Sequence, residues 1–250
     1  MNFYTVIIGT ELLNGRRKDA HFEFVNAELL KRGWDQYASF VINDEPSFIE
    51  DVFELVKKDK NSVMFCFGGI GSTPDDYTRK CASNVFTNGQ METHQEAEEL
   101  ILKRFGDESY PHRIKMSELP INSGLLKNVV NTIPGFSIED RFFFTPGFPS
   151  MAHDMVIEAL DRFYPKGKER FRKTLLANCS ENELIPTMDM MDSGAEMSSL
   201  PMMKSIGNKV ERTTEISVAS FDEQIMNTNF EKFVKFLEKE SISYKMLENK

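Results

Sequence analysis

Hydrophobic positions along the chain follow two rhythms, short unbroken runs and longer stretches spaced by three and four. Phe3-Tyr4-Thr5-Val6-Ile7-Ile8 and Ser62-Val63-Met64-Phe65-Cys66-Phe67 are nearly all apolar, and each stops at a glycine, Gly9 and Gly68. Such runs predict buried strands. Trp34 to Ile42 predicts another. Between the first two strands, Ala20 to Arg32 has helical spacing, with Phe24, Ala27 and Leu30 on one face and Phe22, Val25 and Leu29 beside it. Gly33 is a natural helix stop. A second helix opens at Pro46-Ser47 and runs through Ile49, Val52 and Val56. Alternating strands and helices predict βαβ units and a parallel sheet. Such sheets bind ligands at the carboxyl ends of their strands. That rule directs attention to the segments 9–19, 43–45 and 68–78.

Further on, Asp75 to Phe86 predicts a helix with Tyr77, Cys81, Ala82 and Val85 inward. Glu92 to Phe105 predicts an acidic helix, Arg141 to Phe144 a strand, and Met151 to Phe163 a helix capped by Ser150. The stretches 119–124 and 133–136 are turn-rich and are expected to cover the site. Tyr164 to Lys168 resembles a linker, which divides the chain into a domain at 1–168 and a small α+β domain at 169–250. In the second, strands are expected at 172–179, 211–221 and 242–247. Ser180-x-x-Glu183 has the capping-box pattern at the head of a helix, and Asn227 to Glu240 is amphipathic. The order reads as β-α-β-β-α-β. Residues 188–203 hold six of the fourteen methionines, which reads as an adaptable core or subunit contact.

A net charge of −9 argues against a duplex nucleic-acid partner, which requires a basic footprint. It leaves room for a small phosphorylated ligand, because backbone N–H groups bind phosphate without net charge. Cys66, Cys81 and Cys179 are odd in number and lack metal-ligand or redox spacing. No signal peptide and no bilayer-spanning apolar run is evident, so a cytoplasmic protein without a membrane partner is expected.

Four loops carry candidate chemistry. The first, 9–21, joins Gly9, Thr10 and Glu11 to three adjacent cations, Arg16, Arg17 and Lys18, then Asp19 and His21. Cations beside a helix N-terminus suit a phosphate; the plainer reading is a solvated loop with Asp19 as cap. His21 is open to a metal role, whereas His94, His112 and His153 read as structural or surface residues. The second, Asn43-Asp44-Glu45, can hold a divalent metal or simply precede Pro46. The third is Gly68-Gly69-Ile70-Gly71-Ser72-Thr73-Pro74-Asp75-Asp76-Tyr77-Thr78. Its glycines allow close backbone approach, Ser72 and Thr73 add hydroxyls, and Asp75-Asp76 are read as the first turn of a helix. It matches neither the Walker nor the dinucleotide glycine pattern. The fourth, Thr145-Pro146-Gly147-Phe148-Pro149, follows another strand.

Together these loops resemble the molybdopterin-binding-domain superfamily, which includes MogA, MoaB and the competence/damage-inducible CinA family. Thr10 to Gly15 is similar to a G-D-E-L/I-L-x-G opening, and Gly68 to Thr78 to G-G-x-G-x-T-x-D-D-x-T. Pro134-Gly135-Phe136 and Thr145 to Pro149 resemble CinA-type segments. Thr10 departs from the usual Asp. The deamidase domain of full-length CinA is not expected in this chain.

The resemblance implies a three-layer α/β/α fold with a mostly parallel sheet. It implies a metal-dependent pyrophosphohydrolase of an ADP-ribose-like nucleotide. Non-catalytic molybdopterin or nucleotide binding and molybdopterin adenylylation are the alternatives. Asp76 and Asp44 are the expected catalytic residues, and Asp44, Asp75 and Asp76 the expected ligands of Mg, Mn or Co. Gly9, Thr10, Glu11, Arg16, Gly68, Gly69, Gly71, Ser72, Thr73, Gly147 and Pro149 are the expected ligand contacts. Arg16, Arg17 or Lys18 would offset phosphate charge. A homo-oligomer, dimer or trimer, is implied as well.

Overall fold

The computed structural model describes residues 1–206 and 209–247, with the side chains of 204–206 and 209–211 outside the description. Contacts divide the chain into two compact units, 1–167 and 168–250. Among the described residues no helix is long and apolar enough to cross a membrane.

The first unit begins β1 (Asn2–Ile8), α1 (Thr10–Leu13), α2 (His21–Lys31), β2 (Gln36–Ile42), α3 (Pro46–Lys58), β3 (Ser62–Phe67), α4 (Thr78–Phe86). It continues β4 (Met91–Thr93), α5 (Gln95–Phe105), β5 (Glu118–Pro120), β6 (Gly124–Leu126), β7 (Gly135–Ile138), β8 (Phe142–Thr145), α6 (Pro149–Phe163). Its main sheet has the order β2-β1-β3-β8-β7-β6. The first four strands are parallel, and β7 and β6 add on antiparallel.

The unbroken apolar runs have a direct cause: both faces of the sheet are covered. In β1, Tyr4, Val6 and Ile8 pack with Val52 and Phe53 of α3 and with Cys81 and Val85 of α4. Phe3 and Ile7, pointing the other way, pack with Val25 and Leu29 of α2 and with Met155 and Val156 of α6. The result is the three-layer arrangement with a mostly parallel sheet that the sequence predicts. β2 lies at an edge and alternates half-buried with exposed positions, as an edge strand should. Trp34 closes the far end, its indole N–H donating to the Tyr164 carbonyl at 3.2 Å.

Several elements differ from expectation. The inward face of α2 is His21, Val25, Glu28 and Leu29, whereas Phe22 and Leu30 are exposed. Glu28 is tolerated inside because Arg32 and Lys31 both donate to its carboxylate. Ser150 does not cap α6; the helix starts two residues earlier than expected, with Pro149 at its first position. The stretch read as turn-rich contains β5, β6 and β7, which are too short to show a period. Glu92 and Thr93, expected in a helix, belong with Met91 to β4, which pairs with β5, so α5 starts at Gln95.

The second unit runs β9 (Phe171–Ala177), α7 (Glu181–Met188), β10 (Glu196–Ile206), β11 (Lys209–Ser220), α8 (Glu223–Lys239), β12 (Tyr244–Leu247). The strand order is β10-β11-β9-β12, antiparallel throughout. This is the expected β-α-β-β-α-β order. Ser180 N and Oγ both donate to Glu183 at the head of α7, at 2.8 and 2.7 Å. The methionine-rich stretch includes the edge strand β10, where Met203 is exposed and Met197 packs on the core. β11, whose alternation of Thr214, Ile216 and Val218 with Glu215, Ser217 and Ala219 predicts a half-exposed strand, is buried from Ile216 to Ser220.

Phe136 of β7 stacks on Phe144 of β8 with ring centroids 4.5 Å apart and is 1% exposed. Phe136→Ala is therefore expected to destabilise the first unit by about 3–5 kcal/mol, measured as a lowered urea midpoint.

Candidate functional site

Backbone hydrogen bonds join the end of β1 to that of β2 and the end of β3 to that of β8. Gly9 N donates to the Ile42 carbonyl at 3.0 Å, and Gly68 N to the Thr145 carbonyl at 3.0 Å. The loop 68–78 leaves β3 under tight constraint. A Cβ on Gly68, at φ +98°, would lie 2.4 Å from the Ile8 carbonyl oxygen. A Cβ on Gly69, at φ +68°, would lie 2.2 Å from Thr78 Oγ1. Both positions require glycine on two counts, backbone conformation and space. Thr78 fixes the return: its hydroxyl donates to the Gly68 carbonyl at 2.9 Å and its N–H to the Gly69 carbonyl at 3.0 Å. Arg79, mostly buried, donates to the carbonyls of Ile70 and Gly71.

These bonds set the start of α4 at Thr78, three residues later than expected. Asp75 and Asp76 therefore belong to the loop, and Tyr77 is 38% exposed instead of facing inward. Asp76 is half-buried and closes a local turn. Its Oδ2 accepts from Thr73 N at 2.7 Å and from Thr73 Oγ1 at 2.6 Å. Asp75 is exposed. Asp44, beyond β2, is half-buried and holds the first loop in the same way. Its Oδ2 accepts from Thr10 N at 2.7 Å and Thr10 Oγ1 at 2.8 Å. Glu45 instead caps α3 through Phe48 N and Ser47 Oγ, at 3.1 and 2.7 Å. Those bonds, the Ser47 hydroxyl first, keep its carboxyl below the usual range.

A cavity of about 520 Å³ opens over these loops, within the usual range for small-molecule sites. It gathers Gly9, Glu11, Asp44, the loop residues Gly68 to Thr73, Asp75, Asp76 and Gly147. Pro149 lines a smaller adjoining chamber. Thr10 and Arg16 line neither; Thr10 is held by Asp44, and Arg16 donates to Asn14 Oδ1 at 3.2 Å. Arg17 is the cation of the first loop that reaches the cavity, 3.8 Å from Glu11 and 5.3 Å above the Phe148 ring. Lys18 lines the chamber.

Of the stretches expected to cover the site, 133–136 supplies Ile133 and Pro134 to the opposite wall and 119–124 supplies none; sequence reading missed the rest of that wall. Phe105, Arg113 and Met116 come from the end of α5 and the turn after it, and Asn131 and Met151 from the approach to β7 and from α6. These residues lie far apart in sequence and share no motif. Asn128 and its side-chain bonds to residues 130, 131 and 133 were the available signal, a repeated Asx pattern that shapes this wall.

Among the described residues no three His, Cys, Asp or Glu groups converge as a metal cage. Asp44 and Asp76 each keep Oδ1 without a hydrogen bond among the described residues. That donor set fits a hard cation held by two carboxylates and completed by ligand phosphates, the usual manner of Mg²⁺. It does not fit a preformed site.

His21 is 4% exposed and stacks on Phe67 with centroids 4.1 Å apart. Asp19 caps α2 by accepting from His21 N and Phe22 N, at 2.9 and 3.1 Å. Burial lowers the imidazole pKa to about 4. His153, expected at the surface or in a structural role, stacks on Phe24 at 3.7 Å and meets His21 edge-on at 5.4 Å. His94 caps α5.

The model of the family described as probable molybdopterin binding domain matches residues 4–165. A CinA-like protein of Trichormus variabilis is 30% identical over 161 residues, covering 62% of this chain and 38% of its own length. The chain thus spans about two fifths of the length of that relative. A protein of Caldivirga maquilingensis is 28% identical over 198 residues, 76% of each chain. The crystal structure of the protein CinA from Thermoplasma acidophilum superimposes with a TM-score of 0.58 at 24% identity, covering 65% of this chain and 98% of that one.

Gly69→Ala is expected to destabilise the first unit by about 1–3 kcal/mol through backbone strain and the Thr78 contact, read as a lowered Tm. His21 adds a pH dependence. Its folded pKa of about 4 lies below the unfolded value of 6.5, so the unfolded chain binds the extra proton between those values. Stability is then full above pH 6.5 and falls as pH drops toward 4, by ~3 kcal/mol for this group. Denaturant titrations at both pH values should show a smaller loss in His21→Phe than in the wild type.

Proposed function

The chain belongs to the family of probable molybdopterin binding domains, with a CinA-like first unit, and on that premise we propose that this unit hydrolyses the diphosphate of an ADP-ribose-like nucleotide with the help of a divalent metal. One observation carries the reading. A glycine loop rich in backbone N–H groups and two half-buried carboxylates, Asp44 and Asp76, share one cavity. Arg79 ties down the carbonyls of Ile70 and Gly71. In a trans peptide the N–H points opposite to the carbonyl, so the amides of Gly71 and Ser72 face away from Arg79. Amides so fixed suit phosphate oxygens.

The residues divide the work by chemistry. The amides and the Ser72 hydroxyl hold phosphate oxygens, and Arg17 offsets the charge that grows on them. Thr10 and Thr73 fix the two acids so that one oxygen of each remains open. A divalent cation held by Asp44 and Asp76, with Asp75 at the rim, would polarise the phosphorus. The apolar wall at Phe105, Met116 and Ile133 suits the ring of the ligand.

A second reading has an observation of its own. Both acids already satisfy an oxygen within the protein, which suits a site that binds a nucleotide or molybdopterin without turning it over. Thermal shift with ADP-ribose, FAD, AMP and molybdopterin separates the two, because stabilisation without product formation favours binding alone.

Incubation with ADP-ribose and Mg²⁺, Mn²⁺ or Co²⁺ is expected to release AMP. Asp76→Asn and Asp44→Asn are each expected to slow that release by about 100-fold. No AMP with any of the three metals, beside an active control hydrolase, removes the proposal.

A further inference from the structure

Beside the main cavity lies a chamber of about 20 Å³ under the α1–α2 loop. It has room for one water and little more. Ile8, Glu11, Arg17 and Gly147 line both spaces. The chamber's back wall is His21 and the Phe67 ring on which it stacks.

His21 Nδ1 is buried and has no hydrogen-bond partner. A buried polar atom left unmet costs free energy, so native structures rarely leave one dry. The Gly147 backbone favours the protonated form of the imidazole. In the tautomer that carries its proton on Nε2, Nδ1 bears no hydrogen. Nδ1 is left with a lone pair and accepts a hydrogen bond.

Glu11 is the second acceptor. Its carboxylate folds back over Gly9, where a Cβ would lie 3.0 Å from Oε2. It therefore stands at the end of β1, between chamber and cavity. A water that donates one hydrogen to Glu11 and the other to His21 keeps its oxygen lone pairs free. Arg17 and Lys18 line the chamber from the loop.

We propose that this chamber seats the hydrolytic water, with Glu11 as its positioning acceptor and His21 Nδ1 as the acceptor of its proton. The assignment rests on the diphosphate-cleaving reading above. In the step, the water oxygen bonds to phosphorus and the bridging P–O bond breaks. The leaving phosphate keeps the electron pair, so two monophosphates result. The water's proton passes to Nδ1 and then to solvent. The imidazole is neutral at physiological pH because burial holds its pKa near 4. Asp19, Arg17, Glu11 and Lys18 from the loop and His153 from α6 are the ionisable groups around it.

The test joins a structure to kinetics. A crystal structure of the whole chain should show one water within hydrogen-bond distance of both His21 Nδ1 and the Glu11 carboxylate. His21→Phe keeps the stack on Phe67 and deletes the acceptor. It should lower kcat for ADP-ribose by about 100-fold while the Kd for ADP-ribose stays within about twofold. His21→Asn places an amide oxygen near the Nδ1 position and should regain part of the loss if water placement matters, with or without a folded Phe variant. A dry chamber, or an unchanged kcat in a folded His21 variant, overturns the assignment and leaves the parent reading standing. Failure of the wild-type chain to cleave ADP-ribose with any metal overturns both.

Discussion

The site depends on how closely the chain after β3 passes the end of β1. At Gly68 the backbone comes so near the Ile8 carbonyl that a methyl group would lie 2.4 Å from its oxygen. That approach brings two strand ends and their loops to one place. Thr78 then locks the next turn by bonding to the carbonyls of Gly68 and Gly69. A bulkier residue at either glycine would push the loop away from β1 and separate Asp76 from Glu11 and Asp44. The parallel sheet supplies the position, but close backbone contact supplies the shape.

The two acids illustrate a shared design. Asp44 and Asp76 each use one oxygen to bond a threonine's N–H and hydroxyl, Thr10 and Thr73. Each pair fixes a loop and orients a carboxylate at once. Thr10 departs from the Asp of the opening that this loop resembles, and its N–H and hydroxyl both donate to Asp44, which holds the first loop.

Much of this was legible in the sequence. The unbroken runs at 3–8 and 62–67 announced covered strands, and the glycines after them announced the loops. The β-α-β-β-α-β order of the second unit followed from alternating patterns and the Ser180–Glu183 box. What escaped had physical reasons. β5, β6 and β7 have three or four residues each, too few to display a period. The inward face of α2 was misjudged because Glu28, paired with Arg32, occupies an interior position normally left to apolar residues. The start of α4 was misplaced because Asp75 and Asp76 look like a helix's first turn, while the bond between Asp76 and Thr73 keeps them in the loop. Most of the far wall of the cavity is built from residues brought together only by folding, and local signals, the turn-rich 133–136 and the Asn128 turn, mark one part of it.

Arg79 has a consequence for how the cavity answers to salt. Its charge is spent beneath the loop on the carbonyls of Ile70 and Gly71, away from the ligand's side. An anion against the loop therefore meets oriented dipoles at contact distance, where no mobile counterion can intervene. Arg17 and Arg113 act as charges at the rim, within reach of dissolved ions. Rising ionic strength then weakens the long-range pull on an approaching anion far more than the grip on one already seated, so capture and retention respond to salt separately.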